Sequence, residues 1–257
     1  MYSLKNKNII VTGSEGLIGK SIVKNLIRNK AKVFLIDIKK TNNDKIKNYY
    51  YCDLTNKDLV SQLSKKIIKK AKYINGLINC ASVQDKIEDK KNFLNSKFEN
   101  LSIESWDHMI KGNLNSLFIC SQVFGKYLIK KKNSFIINFS STYGMVAPDN
   151  SIYKNKFNKQ IFYKNPAYPA SKGAVISFTK YLAAYWGNKG LRVNCISPGG
   201  VKNNQDKLFI KKYSEKTILK RMANVDDISN TVNFLASDDS NYITGANIVV
   251  DGGWTSI

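Results

Sequence analysis

Asn8-Ile-Ile-Val-Thr12 is an apolar run of strand length that leads straight into Gly13-Ser-Glu-Gly16-Leu-Ile-Gly19. A helical pattern follows to about Asn29, with Leu17, Ile18, Val23, Leu26 and Ile27 on one face. Strand, glycine turn, helix is the arrangement in which backbone N–H groups at a helix start bind a pyrophosphate, and side chains in the turn would block that approach. The next apolar run, Lys32-Val-Phe-Leu-Ile-Asp37, ends in a carboxylate 18 residues beyond Gly19. A dinucleotide-binding unit places there the acid that accepts from the adenosine ribose hydroxyls. A 2′-phosphate would meet Asp37 head on, with Glu15 adding repulsion, so NAD is favoured over NADP. Lys39 and Lys40 follow directly and would soften that preference.

The alternation continues. Tyr49-Tyr-Tyr-Cys52 reads as a third strand with Asp53 at its end, placed to meet an adenine amino group, and a helix is expected from about Asn56 to Lys70. Gly76-Leu-Ile-Asn79 is a fourth strand, and Phe135-Ile-Ile-Asn-Phe139 a fifth, ending in Ser140-Ser141-Thr142-Tyr143-Gly144. Leu191–Ile196 and Asn247–Asp251 are further strands, and a helix is expected over about Asp226 to Ala236. Strands alternating with helices imply a parallel sheet covered on both faces. Asp85 to Asn100 is charged and aperiodic and reads as a surface loop. Ser102 to Lys131 reads as one long helix, with Asn113 among its apolar positions. A buried amide there needs partners, as a structural fastener or a functional group. Met145 to Ala167 is irregular, and Val201 to Met222 is polar, the pattern of a mobile lid. No repeat or linker interrupts the 257 residues, so one domain is expected, with a cofactor half over about 1–133 and a catalytic half over about 134–257.

Ligands in such sheets bind beyond the carboxyl ends of the strands, which points the serines at 140–141 into the site. Tyr168-Pro-Ala-Ser-Lys172 opens a helical run, and residues four apart share a helix face. A phenol ionises near pH ~10, and an adjacent ammonium favours its charged form, which makes a proton-transfer group. Tyr127…Lys131 and Tyr185…Lys189 match the same spacing, and roughly two chance matches are expected in a chain with 14 tyrosines and this lysine content. Only Tyr168 follows a sheet-end serine and a cofactor-binding half.

Net charge is +22, yet only Arg28, Arg192 and Arg221 among the 41 basic residues are arginine. Nucleic-acid readers favour arginine for bidentate contacts. Here the lysines are spread along the chain as solvated faces, so neither nucleic acid nor membrane is expected as a partner. No run of about 18 apolar residues offers a membrane span, and the N-terminus lacks the pattern of a signal peptide. Cys52, Cys80, Cys120 and Cys195 are far apart and accompany a single histidine, which excludes the usual zinc spacings and fits a reduced, cytoplasmic setting.

These markers together resemble the short-chain dehydrogenase/reductase family: Thr12-Gly-x-x-Gly-x-x-Gly19, Asp37, Asp53, Asn79-x-Ala81, Asn113, Ser141, Tyr168-x-x-x-Lys172, Pro198-Gly199, Tyr242-Ile-Thr-Gly and Val250-Asp-Gly-Gly253. The resemblance covers essentially the whole chain and implies an α/β, Rossmann-type doubly wound sheet of about seven parallel strands. It implies hydride transfer between a nicotinamide and a carbonyl or alcohol. Tyr168 would be the acid/base, and Lys172 would lower its pKa and hold the nicotinamide ribose. Ser141, by its spacing to the following glycine, is chosen over Ser140 to hydrogen-bond the reacting oxygen, and Asn113 would hold a relay water. Cofactor contacts are implied from Gly13, Ser14, Glu15, Gly16, Leu17, Ile18 and Gly19; from Asp37, Asp53, Leu54, Asn79 and Ala81; and from Tyr168, Lys172, Pro198, Gly199, Val201 and Asn203. No metal is implied, and the family commonly forms homodimers and homotetramers, with which the apolar C-terminal helix and Trp254 are compatible.

Three departures concern the substrate. Asn79-Cys80-Ala81-Ser82 replaces the family's usual Asn-Asn-Ala-Gly, and Asn203 stands where a threonine often meets the nicotinamide carboxamide. Ser141 and Tyr168 are 27 positions apart, well beyond the usual spacing. The enlarged segment, with Asn194-Cys-Ile-Ser-Pro-Gly-Gly200, resembles a bacterial branch assigned to flagellin or surface-glycan modification. Substrate contacts are expected from Ser141, Tyr143 and Gly200, with Tyr153, Phe157, Phe162 and Tyr163 either stacking on a sugar or base or packing the loop down. Lys154, Lys156, Lys159 and Lys164 would either pair with phosphate or stand solvated. A 3-oxoacyl or general ketone reductase using NADPH, and a non-catalytic dinucleotide-binding regulator, are the competing readings.

Overall fold

A computed structural model describes residues 3–40, 48–85 and 93–257. Seven strands form one parallel sheet in the order β3-β2-β1-β4-β5-β6-β7. They are β1 (Asn8–Thr12), β2 (Lys32–Asp37), β3 (Tyr49–Tyr51), β4 (Gly76–Asn79), β5 (Ser134–Phe139), β6 (Leu191–Pro198) and β7 (Asn247–Val250). β1, β4, β5 and β6 are buried along their whole length, as their continuous apolar runs require when both faces of a parallel sheet are covered.

The helices are α1 (Leu17–Arg28), α2 (Lys57–Ala71), α3 (Phe93–Ser96), α4 (Ile103–Ile110), α5 (Ser116–Leu128), α6 (Ala167–Trp186), α7 (Lys207–Lys216) and α8 (Val225–Ala236). One face of the sheet packs against α2, α5 and α6 through Val60, Ile67, Val123, Phe124 and Leu182. The other packs against α1 and α8 through Ile22, Leu26, Ile228, Val232 and Leu235. Each fully buried aliphatic side chain contributes about 1.5–3 kcal/mol of transfer free energy, and these two layers carry the fold. Asn56 caps α2 by accepting from the Asp58 and Leu59 N–H groups, so the expected start of that helix is a cap. The C-terminal carbonyls of α8 are gripped by two cations: Arg192 donates to Leu235 and Ser237, and Lys7 donates to Ala236 while pairing with Asp238 at 2.7 Å.

Four sequence expectations are corrected. The long helix over 102–131 is broken into α4 and α5 by a π-helical turn at Lys111–Asn115, in which buried Asn113 bonds across to the loop after β4. The polar run over 201–222 contains helix α7, capped by Asp206 and seated on the enlarged segment by Phe209, Ile210 and Tyr213, because those apolar residues recur on one face. The loop expected over 85–100 includes α3 and a 3₁₀ turn at Phe98–Asn100; its residues 86–92 lie outside the described residues. Trp254, read as available to an oligomer interface, is buried within the chain 4.5 Å from Tyr213.

The enlarged segment is compact. A 3₁₀ turn at Asn150–Tyr153 and an antiparallel bridge between Lys154 and Gln160 order it. Ile152, Tyr153 and Phe162 form a small core with Tyr213, Met222 and Trp254.

Candidate active site

The sheet order reverses between β1 and β4, and a cavity of about 460 Å³ opens along the carboxyl ends of the strands there. One part of it is the glycine turn. Gly13 has φ +66°, and a Cβ on it would stand 2.6 Å from the Ala81 Cα. A Cβ on Gly19 would stand 2.0 Å from the Gly13 carbonyl oxygen. Positions 13 and 19 are therefore closed to side chains. No side chain caps the first turn of α1, so the N–H groups of Leu17, Ile18 and Gly19, all lining the cavity, are left for an anionic ligand. Thr12 Oγ1 donates to the Ile78 carbonyl and accepts from the Cys80 and Ala81 N–H groups, which ties the turn to the loop after β4. The uncapped helix start and the side-chain-free cradle fit a dinucleotide pyrophosphate.

Asp37, buried at the end of β2, accepts from the Glu15 N–H at 2.8 Å and the Lys39 N–H at 2.9 Å. Burial and then the Asp37 and Glu15 charges push the Tyr49 phenol up to about 12. Asp53 accepts from the Thr55 N–H and hydroxyl and shapes the turn before α2, and Leu54 lies in the core. Asn79 is buried and donates to Ser121 and Asn138, fastening β4 to β5 and α5. Ser14, Glu15, Asp37, Asp53, Leu54, Asn79 and Ala81 do not line the cavity. Gly13, Gly16, Leu17, Ile18, Gly19, Pro198, Gly199, Val201 and Asn203 do.

The other part of the cavity is built around Tyr168 and Lys172 on the first turns of α6. Both are buried and both line the cavity. Lys172 Nζ donates to the Phe139 carbonyl at 3.0 Å and lies 5.7 Å from the Tyr168 ring centre. Burial pulls the Lys172 ammonium down to about 8, so it still carries its proton near neutrality. Burial raises the Tyr168 phenol, and its hydrogen bond with Ser141 pulls it back. Ser141 accepts from the Tyr143 N–H at 3.2 Å, whereas Ser140 is committed to the Lys172 carbonyl at 2.7 Å. The sharing of one helix face at i and i+4 thus brings acid and cation together, and the end of β5 supplies the serine. Of the other two Tyr-x-x-x-Lys matches, Tyr185 is exposed and stacked on Tyr181, and Lys131 lies over Tyr73; neither lines the cavity.

Asn113 lies beneath this group rather than in its wall. Its carbonyl accepts from the Val83 N–H at 2.7 Å and from Ser82, and its amide donates to the Val83 carbonyl and to Ser171. Ser141 and Gly200 line the cavity as expected, and so do Gln84, Asp85, Tyr143, Tyr153, Lys164, Gln205, Phe209, Tyr213 and Met222. Phe157 is 70% exposed and Tyr163 stacks on Phe93, both outside it. Lys154, Lys156 and Lys159 are outside as well, and Lys164 is inside. Asp85, Phe209, Tyr213 and Met222 were not selected from the sequence. The apolar i, i+4 pair Phe209 and Tyr213 within a polar run was the available signal; Asp85 left none, because its partner is distant in the chain.

A side-chain-free pyrophosphate cradle sharing one cavity with a phenol, an ammonium and a serine is what a nicotinamide-dependent oxidoreductase requires. A family model described as enoyl-(acyl carrier protein) reductase matches residues 14–255. The chain is 29% identical, over 98% of its length and 99% of the relative's, to post-translational flagellin modification protein A of Campylobacter coli. It is 28% identical, over 97% of its length and 98% of the relative's, to a 3-oxoacyl-(acyl-carrier-protein) reductase of Thermotoga maritima. It superposes with a TM-score of 0.86 and 33% identity on a short-chain dehydrogenase of Leptospira borgpetersenii with bound NAD⁺, covering 98% of this chain and 94% of that one. The chain belongs to the short-chain dehydrogenase/reductase family and is an NAD(P)-dependent dehydrogenase or reductase. Among the described residues no helix is long and apolar enough to cross a membrane.

Proposed function

We propose that this protein uses NAD to interconvert a carbonyl and a secondary alcohol on a sugar, phosphorylated or nucleotide-linked, in the assembly of a surface glycan. The observation that carries the substrate class is the polar character of the lining beyond the catalytic group: Gln84, Asp85, Lys164 and Gln205, with the paired phenols of Tyr143 and Tyr153 at 3.4 Å. Such a wall offers a polyol several hydrogen-bonding partners, beside the apolar surface of Phe209 and Met222. The flagellin-modification relative adds associational support.

When bound, the nicotinamide supplies the hydride donor or acceptor. In the reductive direction the Tyr168 hydroxyl delivers its proton to the nascent alkoxide. Ser141 donates a hydrogen bond to the same oxygen, and the Lys172 charge holds the phenolate left behind. Asn113 braces the loop at Ser82 and Val83 against α6. Gly13 to Gly19 hold the pyrophosphate, and Asn203 serves the carboxamide. An intact acid/base set argues against a purely regulatory binder. Unpaired cysteines at all four positions support work in a reducing compartment, the cytoplasm. The stacked row Phe178, Tyr181 and Tyr185 on α6, where the two tyrosines are exposed, supports a homodimer or homotetramer.

Turnover of NADH against sugar-derived ketones, nucleotide sugars, simple ketones and 3-oxoacyl thioesters tests the substrate class. The expected result is activity on the sugar derivatives, and faster turnover of the thioesters with NADPH would establish the competing reductase reading instead. For the cofactor, NADH is expected to bind at least about tenfold more tightly than NADPH, and Asp37→Asn to narrow that ratio, because the 2′-phosphate no longer faces a full carboxylate. Fluorescence titration measures both, and tighter NADPH binding by the wild type would remove the NAD assignment.

A further inference from the structure

Lys164 arrives at the cavity from the end of the enlarged segment, just before α6. Its side chain is 9% exposed, and its ammonium lies 4.3 Å from the Tyr168 ring centre, closer than that of Lys172. Asp85, on the loop after β4, holds it: Oδ2 stands 3.3 Å from Lys164 Nζ and also accepts from the Asn165 N–H at 3.2 Å. Asn165 in turn accepts from the Ala167 N–H at the start of α6 and donates to Ser105 of α4. The clasp therefore joins the loop after β4, the enlarged segment and the helix that carries Tyr168.

We propose that Lys164 is a second cation for Tyr168, a positioning residue whose ammonium, anchored by Asp85 on the face of the phenol ring, sets the proton affinity of the acid/base. This rests on the reading of Tyr168 as that acid/base. A cation over an aromatic face within about 6 Å is attracted to the ring, and the attraction grows when the ring becomes a phenolate. Among the described residues, the groups facing Tyr168 from the surrounding elements are Ser141, Tyr143, Tyr153, Tyr213, Asp85, Lys164 and Lys172. Only Lys164 and Lys172 among them are cations, and Asp85 is the one carboxylate. Burial draws the Lys164 ammonium down and Asp85 holds it up, while Lys164 in turn lowers Lys172. Two signs follow. Without Lys164 the phenolate loses a cation and faces an uncompensated Asp85, so Tyr168 holds its proton more tightly. Without the Asp85 charge it loses an anion and faces an uncompensated Lys164, so Tyr168 releases its proton more readily.

The test is an NMR titration of protein labelled with 13Cζ-tyrosine and saturated with NAD⁺, the Tyr168 signal being assigned by its loss in Tyr168→Phe. Lys164→Met is expected to raise the Tyr168 midpoint by about one pH unit and Lys164→Arg to restore it, while Asp85→Asn lowers it. An unmoved midpoint in a Lys164→Met protein with the wild-type circular dichroism spectrum overturns the proposal. Asp85→Asn is nearly isosteric and keeps an acceptor for Asn165. Should Lys164→Met not fold, an unmoved or raised midpoint in Asp85→Asn overturns it equally. The two readings fail separately: wild-type turnover by Tyr168→Phe would remove the acid/base assignment and leave these shifts standing.

Discussion

Tyr168→Phe is expected to lower kcat by about 10³-fold on any substrate the wild type turns over, the range that a positioned acid/base contributes. NADH affinity is expected to stay within about threefold, because the substitution removes one hydroxyl and no buried surface. The ring keeps its place: Tyr168 is 7% exposed and packs with Met109 and Ala167, contacts that phenylalanine retains. The other phenols lining the cavity are engaged elsewhere. Tyr143 and Tyr153 are raised by burial and face each other at 3.4 Å, and Tyr213 is raised by burial and accepts from the Gly200 N–H. Steady-state turnover paired with a fluorescence titration of NADH separates the two effects. Equal losses of turnover and of NADH affinity would mean that Tyr168 serves binding rather than proton transfer.

Gly19→Ala is expected to weaken NAD(H) binding by about 100-fold, and to cost about 2–3 kcal/mol of stability. The added methyl would sit 2.0 Å from the Gly13 carbonyl oxygen and 3.0 Å from the Ser14 Cα. Both are backbone atoms, so no flexible side chain can yield. The turn can only open by moving Gly13, which is held at a φ of +66°. The N–H groups of the first turn of α1 then lose their common aim. Gly187→Ala is the control: nothing lies within 4 Å of its added Cβ and its φ is −58°, so it is expected to be neutral or slightly stabilising. Thermal unfolding and NADH titration of the two variants give the comparison. Equal NADH affinity in Gly19→Ala and wild type would exclude the glycine turn as the pyrophosphate cradle.

The apolar runs at 8–12, 76–79, 135–139 and 191–196, with helical patterns between them, determine a parallel sheet covered on both faces. Hydrophobic periodicity and the conformational demands of glycine are set by residues within a few positions of one another, so they are legible before any fold exists. The same holds for Tyr168 and Lys172, which a single helical turn brings together. Other features needed the tertiary structure. A π turn at 111–115 could not be read from helical periodicity, because it forms where the Asn113 amide reaches the Val83 backbone 30 positions away. Helix α7 was hidden in a polar run, because its apolar face is completed by Tyr153, Met222 and Trp254 from three other segments.

Which of the three tyrosine–lysine pairs faces the cavity was decided in the same way. Spacing put each pair on one helix face, and the fold then turned Tyr185 to solvent and Tyr168 inward. By itself, the sequence determined the sheet, the glycine cradle and the partners within one turn of α6. Only the tertiary structure brought Asp85 and Lys164 onto the Tyr168 ring, because nothing local to either residue records a contact 79 positions distant, made when two loops close over the ends of the same strands.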